Sequence, residues 1–144
     1  MSPDSLPVMN WDCERQGCFN RKKRLKFGVF KDCLPGKISF SDVDGIVEIN
    51  GNLLLMEWKD HHNLGTGQRI LFERLTRFCP AAVLIVEGDA ETMAVDSVAI
   101  VHGGQIDPPW QADLDGLRQL IRGWADWALK NPVGRVATCE ESRR

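Results

Sequence analysis

An Asn50-Gly51 pair stands between two apolar runs, and few dipeptides dictate backbone geometry so strongly. A two-residue type I′ turn needs positive φ at both central positions, which asparagine tolerates and glycine adopts freely. The upstream run, Val43-Asp44-Gly45-Ile46-Val47-Glu48-Ile49, is rich in β-branched residues, and Ile38-Ser39-Phe40 leads into it. Such residues suit a pleated, half-buried strand. The downstream run, Leu53-Leu54-Leu55-Met56-Glu57-Trp58-Lys59, is apolar until it ends in charge. The pattern predicts two antiparallel strands joined by a tight turn.

Residues 60–67 read as a loop containing His61, His62 and two glycines. Gln68 to Phe78 reads as a helix, with Ile70, Leu71, Leu75 and Phe78 at helical spacing and Pro80 closing it. Ala81 to Val86 is continuous and apolar, as a buried strand should be. A turn at 89–94 precedes a fourth strand, Val95 to Val101, which ends at Gly103-Gly104. Pro108-Pro109 precedes a final helix over roughly 111–130, where Leu114, Leu117, Ile121, Trp124 and Ala128 make one apolar stripe before Asn131-Pro132 stops it. Residues 1–8 and those after the last helix read as tails, and 9–20 as a short helix. The expectation is a single α/β domain with a central mixed sheet flanked by helices, its core spanning about 9–130.

The chain has 144 residues, 43% of them hydrophobic, enough for one sizeable core. No run approaches the ~20 apolar residues of a membrane helix, and the first ten residues lack a signal-peptide pattern, so a cytoplasmic location is expected. Five cysteines, an odd number thinly spread, argue against a disulfide framework. Net charge is −2, yet Arg21, Lys22, Lys23 and Arg24 form a dense basic cluster with Lys26 close behind. That cluster is either a phosphate-binding patch or a solvated loop.

Side chains alternate faces along a strand. Asp44, Ile46 and Glu48 therefore share one face of the first strand, and Leu55, Glu57 and Lys59 one face of the second. A tight turn makes these strands neighbours, so two carboxylates and a lysine converge at one end of an otherwise apolar hairpin. Unpaired charge there is expensive, and a hard divalent cation is a natural compensator. Mg²⁺, with Mn²⁺ as its substitute, takes one or two carboxylates plus phosphate and water. Asp44 and Glu57 are the expected ligands, with the carbonyl oxygen of Trp58. The ion would polarise a phosphodiester and acidify a bound water; Lys59 would orient that water or stabilise the developing negative charge.

Asp44 followed thirteen positions on by Glu57-Trp58-Lys59 resembles the signature of the PD-(D/E)XK nuclease superfamily. In that superfamily the acid lies near the start of one strand and E-x-K closes the next. Gln68, opening the following helix, is similar to the glutamine that VRR-NUC and exonuclease-type members place there to support the site or contact the substrate backbone. The stretch from about Phe40 to Val86 resembles VRR-NUC domains and Holliday-junction resolvases in element order. The wider stretch from Cys13-Glu14 to Cys33-Leu34-Pro35-Gly36 looks like small phage and prophage proteins of the superfamily. Val43 stands where the strict pattern has proline. The resemblance implies a restriction-endonuclease-like core, a metal-dependent deoxyribonuclease, DNA as partner and, for resolvase-like action, a homodimer.

Further candidates surround this set. Asp42 shares the face parity of Asp44 and is either a second ligand or a strand-edge solubiliser. Glu48 is a candidate second-metal ligand. Glu14 is either the extra acid that resolvase-like members bring from a first helix or an exposed helical residue. His61 and His62 either contact DNA or lie in a loop. Cys13, Cys18 and Cys33 fit a zinc site loosely, with buried or free thiols as the plainer alternative. Five tryptophans, at 11, 58, 110, 124 and 127, are potential base-stacking groups, although Trp124 lies on the helical stripe and reads as core. The combined expectation is a structure-selective, Mg²⁺-dependent endonuclease. The alternative is a non-catalytic protein on a nuclease fold, binding nucleic acid or acting as a phage host-interaction factor.

Overall fold

The computed structural model describes residues 25–60 and 64–134. The chain divides into two compact units, one ending at Phe40 and the other starting at Ser41. In the first unit, Phe27–Cys33 forms a 3₁₀ helix with no buried residue. Residues 1–24, which include the expected short helix over 9–20, lie outside the described residues.

The second unit is an α/β domain built on a mixed sheet of six strands. Strand β1 (Gly45–Ile49) turns through Asn50 (φ 52°) and Gly51 (φ 86°) into β2 (Asn52–Lys59). Both central residues carry the positive φ that a type I′ turn demands. Helix α1 (Thr66–Phe78) then crosses to β3 (Ala81–Asp89), which runs parallel to β2. A parallel neighbour needs such a crossover, since a tight turn can join only antiparallel strands. Strand β4 (Ala94–His102) returns antiparallel to β3. Two short strands, β5 (Gln105–Ile106) and β6 (Trp110–Gln111), both pair with β4. Helix α2 (Leu114–Lys130) completes the domain.

The alternation along β2 sorts the core into two layers. Leu55, Val83 and Val101 pack with Phe72 of α1 on one face. Leu54, Leu84, Val86, Val95 and Val98 pack with Leu117 of α2 on the other. Leu114, Leu120, Ile121 and Trp124 join that second layer, and Ala128 is fully buried, so the apolar stripe expected of the last helix covers the sheet. Among the described residues, no helix is long and apolar enough to cross a membrane.

Several boundaries differ from expectation for identifiable reasons. Strand β1 begins only at Gly45, whose partner Met56 makes the last rung of the hairpin ladder. Val43 and Asp44 lie beyond it. Helix α1 presents a different face: Phe72 and Thr76 are its buried residues, whereas Ile70, Leu71 and Phe78 are exposed. The true stripe runs through Gln68, Phe72, Leu75 and Thr76, at spacings of three and four. Polar Thr76 is accommodated because its hydroxyl donates to the Phe72 carbonyl (2.8 Å) and accepts from Gly104 N (3.0 Å). Helix α2 starts at Leu114 rather than near 111 because Asp113 caps it, accepting from Gly116 N at 2.8 Å. Residues 110 and 111 are taken up by β6 instead.

Candidate active site

The hairpin ladder ends at the Gly45–Met56 rung, so Asp44 and Glu57 are the first residues past it on their two segments. Glu57 and Lys59 belong to one face of the sheet, the face covered by α1, and Asp44 lies in the bend just before β1, at the same end of the hairpin. Asp44 Oδ2 accepts a hydrogen bond from the backbone N–H of Trp58 at 2.7 Å. The carboxylate takes over the ladder where β1 has stopped, which ties the loop before β1 to the charged end of β2.

Glu57 is buried, with 6% of its surface exposed. Its Oε1 lies 3.1 Å from Lys59 Nζ and accepts from Gln68 Nε2 at 2.7 Å. Lys59 Nζ in turn donates to Gln68 Oε1 at 2.7 Å. The three side chains close a triangle in which a carboxylate, an ammonium and an amide each touch the other two. The α1 stripe accounts for Gln68: Phe72, one turn along, anchors the helix in the core and carries the first-turn glutamine over the end of β2.

Trp58, between the two charged residues, points to the opposite face and packs among the residues under α2. Its indole Nε1 donates to the Gly88 carbonyl at 3.0 Å. Gly88 sits at an irregularity between Glu87 and Gly88 where the β3–β4 register shifts. A Cβ on Gly88 would meet the Ala94 carbonyl oxygen at 2.0 Å, so only glycine fits there. The end of β2 is therefore gripped through its backbone by Asp44 and through its indole by β3.

Four polar residues line a cleft of about 290 Å³ beside this cluster: Lys59, Arg69, Glu87 and Ser97. Ile85, Ala99 and Ile106 supply part of its apolar lining. Glu87 is the parallel register partner of Lys59 and accepts from Ser97 Oγ at 3.3 Å. Arg69 pairs with Glu73 one turn along α1 at 2.9 Å. None of these three cleft residues is marked by the hairpin motif. The available signal was an acid closing a second apolar strand, as Glu57 nearly closes the first, but its alignment with Lys59 depends on the β2–β3 register.

The other candidates are placed elsewhere. Glu48 pairs with Leu53 at the turn end of the hairpin and accepts from Gly51 N, so it braces the turn four residues away from Asp44. Asp42 is exposed and precedes β1. Trp110 and Trp127 are exposed, and Trp124 packs against the core as expected. Cys33 is an exposed free thiol; Cys13 and Cys18 lie outside the described residues, as do Glu14, Arg21, Lys22, Lys23, Arg24, His61 and His62.

Among the described residues, no three or more histidine, cysteine, aspartate or glutamate side chains gather as a metal-ligand cluster. What the cluster offers is narrower: Asp44 Oδ1 and Glu57 Oε2 make no hydrogen bond or ion pair among the described residues. Comparison with protein-family models, with curated proteins and with solved structures finds no match to this chain.

Proposed function

We propose that this chain is a divalent-metal-dependent nuclease of the PD-(D/E)XK kind that hydrolyses phosphodiester bonds in DNA, as a structure-selective endonuclease. The observation that carries the reading is the buried Glu57, held on one oxygen by Lys59 and Gln68, with Asp44 bonded to the backbone N–H of the next residue, Trp58.

Charge supports a cation at this place. Asp44, Glu57 and Lys59 sum to −1 − 1 + 1 = −1, and a phosphodiester brought alongside would be repelled. Mg²⁺ enzymes that act on phosphates use one or two carboxylates and leave the remaining positions to water and substrate. Asp44 and Glu57, each with one oxygen unengaged among the described residues, fit that donor set, which does not require a third acid. When bound there, Mg²⁺ or Mn²⁺ would supply Lewis-acid polarisation of the phosphate and a more acidic water.

The chain's own residues do the rest. Lys59 sets an ammonium beside Glu57 and stabilises the negative charge that grows on the phosphate oxygens. Gln68 touches both charged groups and keeps them oriented. Trp58 holds the strand end rigid, so the two functional side chains flanking it keep their spacing. Symmetric cutting of a branched substrate would require two such sites, hence two copies of the chain.

Incubating the protein with linear, circular and branched DNA and Mg²⁺ or Mn²⁺, beside a Lys59→Ala control, tests the proposal. The expected result is cleavage that requires the metal and disappears in the control. Asp44→Asn and Glu57→Gln should lose metal binding and cleavage together, whereas Lys59→Ala keeps the metal and loses the rate. No metal-dependent product from any of the three substrates would defeat the enzyme reading.

A further inference from the structure

The positive charge of this chain is segregated. Residues 21–40 contain seven lysines and arginines and a single acid, Asp32, a net of +6. The remainder of the chain holds eleven basic residues against nineteen acids, a net of −8. A segment this lopsided inside an acidic protein is an electrostatic footprint for a polyanion.

The described part of that segment also carries an aromatic cluster. Phe27 and Phe40 stack with ring centroids 5.5 Å apart, and Phe30 meets Phe40 edge-on at 5.8 Å. The rings are nevertheless 41%, 38% and 55% exposed for Phe27, Phe30 and Phe40. Lys31 and Lys37 line the same hollow of about 370 Å³ as these rings. Exposed apolar rings are costly in water, and a contiguous set of them marks a binding surface.

We infer that the aromatic hollow over residues 27–40 is a binding site for unpaired nucleotides of single-stranded nucleic acid. Aromatic faces stack on bases without regard to sequence, while neighbouring ammonium groups track the phosphates. Paired bases offer no free face to such rings, and the seven-residue 3₁₀ helix is too short to read a major groove. The pairing of rings with lysines therefore favours a single strand over a duplex. This site is distinct from the one at Glu57 and does not depend on it.

Binding of labelled oligothymidylate and oligouridylate to the full chain, followed by fluorescence anisotropy, tests the inference. The Lys59→Ala background and a chelator keep cleavage out of the readout, so this result and the nuclease result can fail separately. The single strand should bind at least tenfold tighter than a blunt duplex of equal length. Phe27→Ala/Phe40→Ala should weaken it at least tenfold, with circular dichroism unchanged, and Phe27→Tyr/Phe40→Tyr should restore it. Lys31→Ala/Lys37→Ala should lower the steepness of the log–log salt dependence by about 1.4, two phosphates at ~0.7 each. The relative affinity of the two oligonucleotides decides between DNA and RNA as the natural strand. Equal affinity for strand and duplex, absence of binding, or alanine variants that bind as the parent does would overturn the inference.

Discussion

Replacing Gln68 by leucine removes two hydrogen bonds while keeping a side chain of similar bulk. Each lost bond involves a charged partner, a class worth about 1.5–3 kcal/mol. The two losses are not equal. Lys59 is 23% exposed along its side chain, so water can re-solvate its ammonium, and it remains 3.1 Å from Glu57. Its share falls to about 0.5–1.5 kcal/mol. Glu57 is nearly sealed, loses one of two protein partners and bears the larger part, about 1.5–3 kcal/mol. The Gln68→Leu variant should therefore lose about 2–4.5 kcal/mol. For a domain of this size that is roughly an 8–18 °C fall in Tm, read by calorimetry or near-UV circular dichroism. A sharper comparison follows from the chemistry of buried ion pairs, which apolar residues often replace at no cost or with a gain of about 1–4 kcal/mol. Glu57→Leu/Lys59→Met/Gln68→Leu should melt at or above the parent temperature. A single variant that melts within 2 °C of the parent, or a triple variant as unstable as the single, would refute the reasoning; the second result would make the triangle a structural brace.

Two further substitutions test how the strand end is held. Gly88→Ala puts a methyl 2.0 Å from the Ala94 carbonyl oxygen and must push apart the β3–β4 irregularity, at a cost of about 1–3 kcal/mol; urea titration should show a lower midpoint at unchanged slope, and a midpoint equal to the parent's would contradict the close approach. Asn52→Ala deletes the bonds from Asn52 Nδ2 to Asn131 O (2.9 Å) and Ile49 O (3.3 Å), which tie the hairpin turn to the end of α2. A loss of about 1–3 kcal/mol is expected, with faster hydrogen exchange at the C-terminal turn of α2; unchanged exchange there would show that the tie does not hold the helix end.

The hairpin and its charged end were legible because their signals are local. Asn50-Gly51 determines its own turn, and strand parity then assigns Glu57 and Lys59 to one face without knowledge of any distant residue. Gln68 was singled out only through the resemblance to the nuclease superfamily. Its mechanical basis was not legible: Ile70 and Leu71 look like the buried face of α1, yet the helix lies with Phe72 and Thr76 inward, because Thr76 has a partner at Gly104 that is 28 residues away. Strands β5 and β6 have two residues each, too few for a period-two pattern to register. Glu87 reads as the polar close of an apolar strand until β3 is aligned parallel to β2. Each miss depends on a contact between segments far apart in the chain, which local periodicity does not encode.

Burying a polar group is costly unless it is satisfied, so each instance calls for a reason. Among the described residues three polar side chains are buried: Asn52, Glu57 and Thr76. Asn52 bonds to backbone carbonyls on two segments and fastens the turn to the last helix. Thr76 bonds to backbone groups of α1 and of the loop after β4 and fastens helix to sheet. Both are joints, and their partners are main-chain atoms that any sequence would present. Glu57 differs in kind. Its partners are two side chains, Lys59 and Gln68, both of which the sequence must supply, and both engage the same oxygen. An arrangement selected only for stability would spread its donors over both oxygens or would use leucine, as its neighbours Leu54 and Leu55 do. Concentrating the donors on Oε1 leaves Oε2 unengaged among the described residues. A joint has no use for that second oxygen, whereas the cation proposed at this site would use it.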